Sequence, residues 1–199
     1  MTDGKKVTVS EVIAEIEKAS AYFSQGGGVT VSGGEALMQP MFIKALFEEC
    51  KKRGWHTCLD SSGAYLSELQ KQALDVTDLV LLDIKTMNPK KHEEYINWEL
   101  EKVLKFAKYL QANEIKMWVR HVLVPGWTDD EHELLELGMF VNTLTNVDRF
   151  EILPFHKMGQ HKWEERGVCD PLADTPGATQ QDVKRAKEIL RSTGATLHA

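Results

Sequence analysis

Leu79-Val80-Leu81-Leu82 is an unbroken apolar run that stops on Asp83. Four such residues in a row leave no polar face, so the run suits a strand of a parallel sheet covered on both sides. Parallel strands need long crossovers, and segments of helical periodicity supply them before and after this run. Thr8-Val9-Ser10-Glu11 reads as a capping box that opens an amphipathic helix reaching about Ser20, with Val9, Val12, Ile13 and Ile16 on one face. Residues 29–32 form a short β-branched strand, and Pro40 then suits the first turn of a helix whose buried stripe is Met41, Phe42, Ala45, Leu46 and Cys50. His56-Thr57-Cys58-Leu59-Asp60 is strand-like and ends at Ser61-Ser62-Gly63, before a short helix over 67–73. Beyond the apolar run the pattern predicts helix 100–112, strand 117–122, helix 129–144, strand 147–153 and helix 178–191. Five strands alternating with helices predict an α/β fold on a parallel sheet, doubly wound or curled into a barrel. The segment from about 157 to 177 is the longest irregular one, of a length that is usually functional or mobile.

The 199 residues, 42% hydrophobic, suffice for one full core, so residues 1–199 are expected to form a single domain. A net charge of −6 with no basic stripe argues against a nucleic-acid partner. No run approaches the length of a membrane span, and the polar opening Met1-Thr2-Asp3-Gly4-Lys5-Lys6 does not resemble a signal peptide, which predicts a cytoplasmic protein without membrane contact. Cys50, Cys58 and Cys169 are odd in number and far apart, so they suggest neither a disulfide framework nor a local metal cage.

In a parallel α/β sheet the ligand lies beyond the carboxyl ends of the strands. Each predicted strand carries polar residues there: Ser32-Gly33-Gly34-Glu35, Asp60, Asp83-Ile84-Lys85, Arg120, and Pro154-Phe155-His156. Glycines at a strand exit let a ligand approach the backbone, and a neighbouring glutamate can hold a cation. Residues two apart on a strand share a side, which groups Leu79, Leu81, Asp83 and Lys85, then Trp118, Arg120 and Val122, then Ile152, Pro154 and His156. If these sets face a barrel interior, Cys58, in phase with Asp60, is an interior thiol rather than a nucleophile. Each residue alone has an ordinary reading, such as a turn cap for an aspartate or a structural ion pair for an arginine. Their coincidence at all five strand ends favours a shared site.

With these residues assembled, the chain resembles the radical S-adenosylmethionine superfamily and, within it, the pyruvate formate-lyase activating enzymes. The resemblance rests on Gly26-Gly27-Gly28-Val29-Thr30 before Ser32-Gly33-Gly34-Glu35, on His56 to Asp60, and on Asp78 to Lys85. It continues through Phe106-Ala107-Lys108-Tyr109-Leu110, Val124-Pro125-Gly126-Trp127, Leu153-Pro154-Phe155-His156 and His161-Lys162-Trp163. That resemblance implies a partial (β/α) barrel of the radical SAM type in which S-adenosylmethionine lies across the strand ends and chelates a [4Fe-4S] cluster. It implies that Gly33, Gly34 and Glu35 hold the methionine ammonium. Asp83, Ile84, Lys85 and Arg120 would border the carboxylate and ribose, Val122 would contact the adenine, and His156 the nucleoside end. Asp60, Ser61 and Asp83 would resemble the family's monovalent-cation site.

The family's Cys-x3-Cys-x2-Cys loop, which holds the cluster, has no counterpart among Cys50, Cys58 and Cys169. On this reading the chain is an N-terminally truncated partial barrel without the first strand and cluster loop. It is expected to be inactive alone and to bind S-adenosylmethionine weakly. The implied partners are pyruvate formate-lyase and a flavodoxin-type electron donor for the full-length enzyme; the strand at 29–32, which becomes an unprotected sheet edge, is in turn expected to be mobile or to self-associate with a second copy. Two alternatives stand beside it: a non-catalytic module docking on pyruvate formate-lyase, and a cluster-free barrel enzyme using Asp60, Lys85 and His156 in acid–base chemistry.

Overall fold

The computed structural model describes residues 4–23, 26–159, 167 and 169–198. Five strands, β1 (Gly28–Val31), β2 (His56–Ser61), β3 (Leu79–Asp83), β4 (Lys116–Leu123) and β5 (Val147–Pro154), form one sheet in the order β1-β2-β3-β4-β5. Every neighbouring pair is parallel. The crossovers carry α1 (Val9–Glu17, ahead of the sheet), α2 (Pro40–Lys52), α3 (Glu68–Leu74), α4 (Pro89–Ile96), α5 (Leu100–Ala112), α6 (Glu131–Asn142) and, after β5, α7 (Gln180–Ser192).

Local chemistry explains most boundaries. Thr8 and Glu11 complete the capping box of α1, Ser67 and Gln70 that of α3, and Thr179 and Asp182 that of α7. The first helix stops at Glu17 and gives way to a 3-10 turn over Ser20–Phe23. Helix α4 lies where no helix was expected, because its sequence Pro-Lys-Lys-His-Glu-Glu-Tyr-Ile has no apolar stripe. Its start was nonetheless encoded: Asn88 accepts from Lys90 N and Lys91 N, Pro89 fills the first turn, and Asn97 ends the helix in the left-handed region at φ 56°. On α2 the buried residues are Ile43, Leu46, Phe47 and Cys50, while Met41, expected in the stripe, is exposed.

Leu59, Val80, Leu82, Met117, Val119, Leu123, Phe150 and Ile152 face one side of the sheet and pack into a single core with Phe47, Phe106, Leu134 and Leu190 from the helices. The other side is only half covered. On β3, Val80 and Leu82 are buried while Leu79, Leu81 and Asp83 are partly exposed, so the expectation of a strand covered on both faces does not hold. Helices on one face and a part-open polar face opposite match the partial barrel, not the doubly wound sheet. Tight strand approach is written into Gly28, where a Cβ would lie 2.1 Å from the His56 carbonyl oxygen.

Strand β5 sits in the opposite phase to the one expected. Ile152 pairs with His121 and is buried in the helix-side core, while Glu151 pairs with Arg120 and Leu153 with Val122 on the part-open face. Alternation counted back from a residue beyond the strand end gave the wrong side, since the chain leaves strand geometry after Pro154. The long segment expected over 157–177 begins with a 3-10 turn, Lys157–Gly159; the block His161-Lys162-Trp163 lies outside the described residues.

Candidate functional site

All five strands end at the same pole, so their carboxyl ends share one rim. At the exit of β1, Gly33 (φ 95°) and Gly34 (φ 55°) adopt backbone that side chains rarely take, and a Cβ on either would meet nothing within 4 Å. The space over this pair is open. Glu35 follows and ties three elements together. Its Oε1 accepts from Leu37 N (3.1 Å) and Ser61 Oγ (2.9 Å), and its Oε2 from Ser62 N (2.9 Å) and Ser62 Oγ (2.6 Å). Four donors occupy the carboxylate, which caps the Ala36–Met38 turn and latches the β1 exit to the β2 exit.

Beside this latch runs a chain of alternating charge. Arg120 donates through Nη2 to Asp60 Oδ1 (2.5 Å) and through Nε to Asp83 Oδ1 (2.8 Å), and Lys85 Nζ donates to Asp83 Oδ2 (2.6 Å). Side-chain exposure is 17% for Arg120, 19% for Asp83, 30% for Asp60 and 34% for Lys85, so the inner pair is largely withdrawn from water and the ends reach it. Burial opposes the Arg120 charge, but Asp83 and Asp60 outweigh it and hold the guanidinium above its ordinary value. Cys58 lies buried near these charges and outside the helix-side core; desolvation pushes its thiol up, the state of an inert wall residue as expected.

Backbone at the β3 exit is fixed from behind. Ile84 N donates to Arg120 O (3.0 Å), and the Ile84 side chain is fully buried. His121, which sequence reasoning passed over, is buried with Nδ1 2.9 Å from Ile84 O and Nε2 3.0 Å from Thr128 O. Burial lowers its pKa, and the two carbonyl oxygens facing its ring nitrogens oppose that shift. The phase of β4, with His121 between Arg120 and Val122, was the signal that it points to the helix side.

Val122 lines a cavity of about 570 Å³ that Lys85 also borders, between α4 and the turns after β4. His156 is exposed two residues beyond β5 and stands outside the Asp60–Arg120–Asp83–Lys85 chain. The Ser61 hydroxyl turns to Glu35, so a cation at Asp60, Ser61 and Asp83 would find two carboxylates already shared with Arg120. Among the described residues no group of three or more His, Cys, Asp or Glu side chains is placed to hold a metal ion. Two charged residues of the same face went unnoticed in the sequence: Arg149 pairs with Glu151 (3.0 Å) and stacks its guanidinium 4.9 Å from the Trp118 ring. Among the described residues no helix is long and apolar enough to cross a membrane.

Comparison with known proteins adds an independent line. The family model of the Radical SAM superfamily matches residues 1–138. The chain is 40% identical over 194 residues to pyruvate formate-lyase 1-activating enzyme of Escherichia coli K12, covering 96% of this chain and 79% of that protein. It is 42% identical over 201 residues to pyruvate formate-lyase-activating enzyme of Staphylococcus aureus USA300, covering 96% and 78%. Among solved structures, a domain of pyruvate-formate lyase-activating enzyme from Bacteroides vulgatus superposes with a TM-score of 0.71 at 22% identity, over 87% of this chain and all of that one. SuiB of Streptococcus suis bound to S-adenosylmethionine superposes with a TM-score of 0.70 at 16% identity, over 96% and 41%. At such identities the superpositions speak for the fold.

Proposed function

The chain belongs to the Radical SAM superfamily and, within it, to the pyruvate formate-lyase activating enzymes, and from that premise we propose that its strand-end rim binds S-adenosylmethionine in the service of glycyl-radical formation on pyruvate formate-lyase. The observation that carries this reading is the charge chain Asp60–Arg120–Asp83–Lys85 lying beside two open glycines. A sulfonium zwitterion brings two positive centres and one carboxylate. Gly33 and Gly34 offer backbone at close range to its ammonium, and Glu35 contributes its negative charge while its oxygens stay on Ser61 and Ser62. Arg120 and Lys85 receive the carboxylate and the ribose side together with Asp83 and the Ile84 backbone. Val122 meets the adenine, and His156 closes the nucleoside end from the β5 exit.

When bound with a [4Fe-4S] cluster, S-adenosylmethionine supplies a 5′-deoxyadenosyl radical. The residues of this chain fit the nucleotide and do not fit the cluster. Cys50 is in the helix-side core, Cys58 is buried on the other face of the sheet, and Cys169 is exposed ahead of α7, so the three thiols do not surround one space that could hold iron. The share of these residues is to orient the sulfonium nucleotide and shield it. The acid–base alternative has little support, since Asp60 and Lys85 are each committed to an ion pair and His156 stands apart from both.

Calorimetric titration of the 199-residue chain with S-adenosylmethionine tests the reading. Three or four charge-assisted contacts at about 1.5–3 kcal/mol each are offset by several kcal/mol of association entropy, and the carboxylate must displace existing pairs. Binding weaker than micromolar and dependent on Arg120 is expected; no detectable heat at millimolar ligand would refute it. Strand β1 is an edge of the sheet and carries neither lysine nor proline to protect its backbone. Concentration-dependent self-association is therefore expected in light scattering behind size exclusion, and a strict monomer at high concentration would count against it.

A further inference from the structure

Strand pairing between β3 and β4 stops short of the rim, and one side chain takes over where it stops. The register ends at Asp83 with Arg120; one step on, Ile84 N still donates to Arg120 O (3.0 Å), and Ile84 O lies 2.9 Å from Nδ1 of His121. The other ring nitrogen, Nε2, lies 3.0 Å from Thr128 O in the turn that follows β4. That turn is held to its own strand, since Thr128 N donates to Val124 O and the Thr128 hydroxyl donates to Val122 O and accepts from Val124 N. One buried imidazole therefore stands between the β3 exit and an anchored turn.

The two carbonyls compete for the hydrogens of the ring. Above its pKa a histidine carries one N–H and one bare nitrogen, so it can donate to only one of them. Which one is decided by what each oxygen could find instead. Thr128 is half-buried, and water can serve its carbonyl when the ring does not. Ile84 is fully buried, so its carbonyl, once abandoned, would stay without a donor at a cost greater than that of an ordinary lost hydrogen bond. The hydrogen belongs on Nδ1. Charges around the ring do not reverse this choice, because the two that act on it, Lys85 after β3 and Glu133 on α6, are neutralised by Asp83 and by Lys91 of α4.

We propose that His121 is a positioning residue of the strand-end rim: with its hydrogen on Nδ1 it holds the Ile84 carbonyl and so sets where the backbone at 83–85 stands against Arg120. Neighbours on β4 then grip the β3 exit from both faces of the sheet, Arg120 through the Asp83 side chain on the part-open face and His121 through Ile84 O on the helix side. The functional half of this inference rests on the reading that the rim takes S-adenosylmethionine, whereas the tie to Ile84 does not.

The test is a long-range nitrogen–proton correlation spectrum of the histidine rings in the whole chain, recorded above the titration of His121, with its ring linked to its own backbone resonances. Nδ1 should carry the hydrogen, the form that free histidine in water populates less; a hydrogen on Nε2 would overturn the proposal. Two variants read the positioning role. His121→Asn keeps an amide donor close to the place of Nδ1, and His121→Gln keeps one close to the place of Nε2. Affinity for S-adenosylmethionine should stay within about twofold of native in His121→Asn and fall roughly fivefold in His121→Gln, the scale of one hydrogen bond. A residue that only fills the core would lower both melting temperatures and leave the two affinities equal, and that result would also overturn the proposal. Should either variant fail to fold, the tautomer of the native ring decides. The amides of Gly33 and Gly34, followed in the native chain during titration with S-adenosylmethionine, report the nucleotide reading alone. Their silence would undermine that reading and leave the tautomer to decide the tie.

Discussion

Replacing Arg120 with methionine is expected to remove measurable S-adenosylmethionine binding and to lower the melting temperature. Among the described residues Arg120 is the only side chain that joins Asp60 on β2 to Asp83 on β3, and it is the least exposed of the three. Methionine keeps the aliphatic stem and takes away the charge, leaving two part-buried carboxylates on neighbouring strands with Lys85 alone against them. Breaking a fully buried pair by removing one partner costs about 3–5 kcal/mol. Here the partners retain some contact with water, so roughly 2 kcal/mol is expected, equivalent to about 4–8 °C for a chain of this length. Loss of the charge-assisted contact to the ligand carboxylate adds a binding penalty of about tenfold or more.

Two effects of one substitution are separable. Adding Asp60→Asn to Arg120→Met removes one stranded charge, so the melting temperature should recover in part while binding stays lost. Recovery of both would mean that Arg120 supports the strands and does not touch the ligand. A melting temperature unchanged by Arg120→Met would show that the ion-pair chain contributes nothing to folding.

Anaerobic reconstitution of the 199-residue chain with iron and sulfide is expected to leave iron at background, with no visible charge-transfer absorption and no reductive cleavage of S-adenosylmethionine. A cluster needs three thiolates around one space. Cys50 and Cys58 face opposite sides of the sheet, and burial raises both thiols, which keeps them protonated at neutral pH. Cys169 is exposed on the segment before α7, whereas the other two are buried. A stable cluster with release of methionine and 5′-deoxyadenosine would overturn this expectation and require a rearrangement that brings the three together.

Which strand-end residues meet could be read only in part. Asp60, Asp83 and Arg120 were placed on one face by alternation along their own strands, and they do touch. Glu35 was read as a carboxylate that can hold a cation, yet Ser61 at the end of β2 and Ser62 just after it supply three of its four donors. The partners lie 26 and 27 positions away, beyond the reach of any local pattern. Arg149 and Glu151 escaped notice because the phase of β5 was counted from His156, outside the strand.

By itself the sequence determined the order of the strands and of every helix but α4, and the polar character of the strands' carboxyl ends, because periodicity, capping and turn chemistry act over a few residues. Tertiary structure alone decided the face that β5 presents, the double use of Arg120, the occupation of Glu35 and the apolar cavity between α4 and the turn at Trp127. Those depend on register and on ion pairing between distant segments, where a one-residue slip exchanges the two faces and the energy resides in neighbours that the chain brings together only when folded.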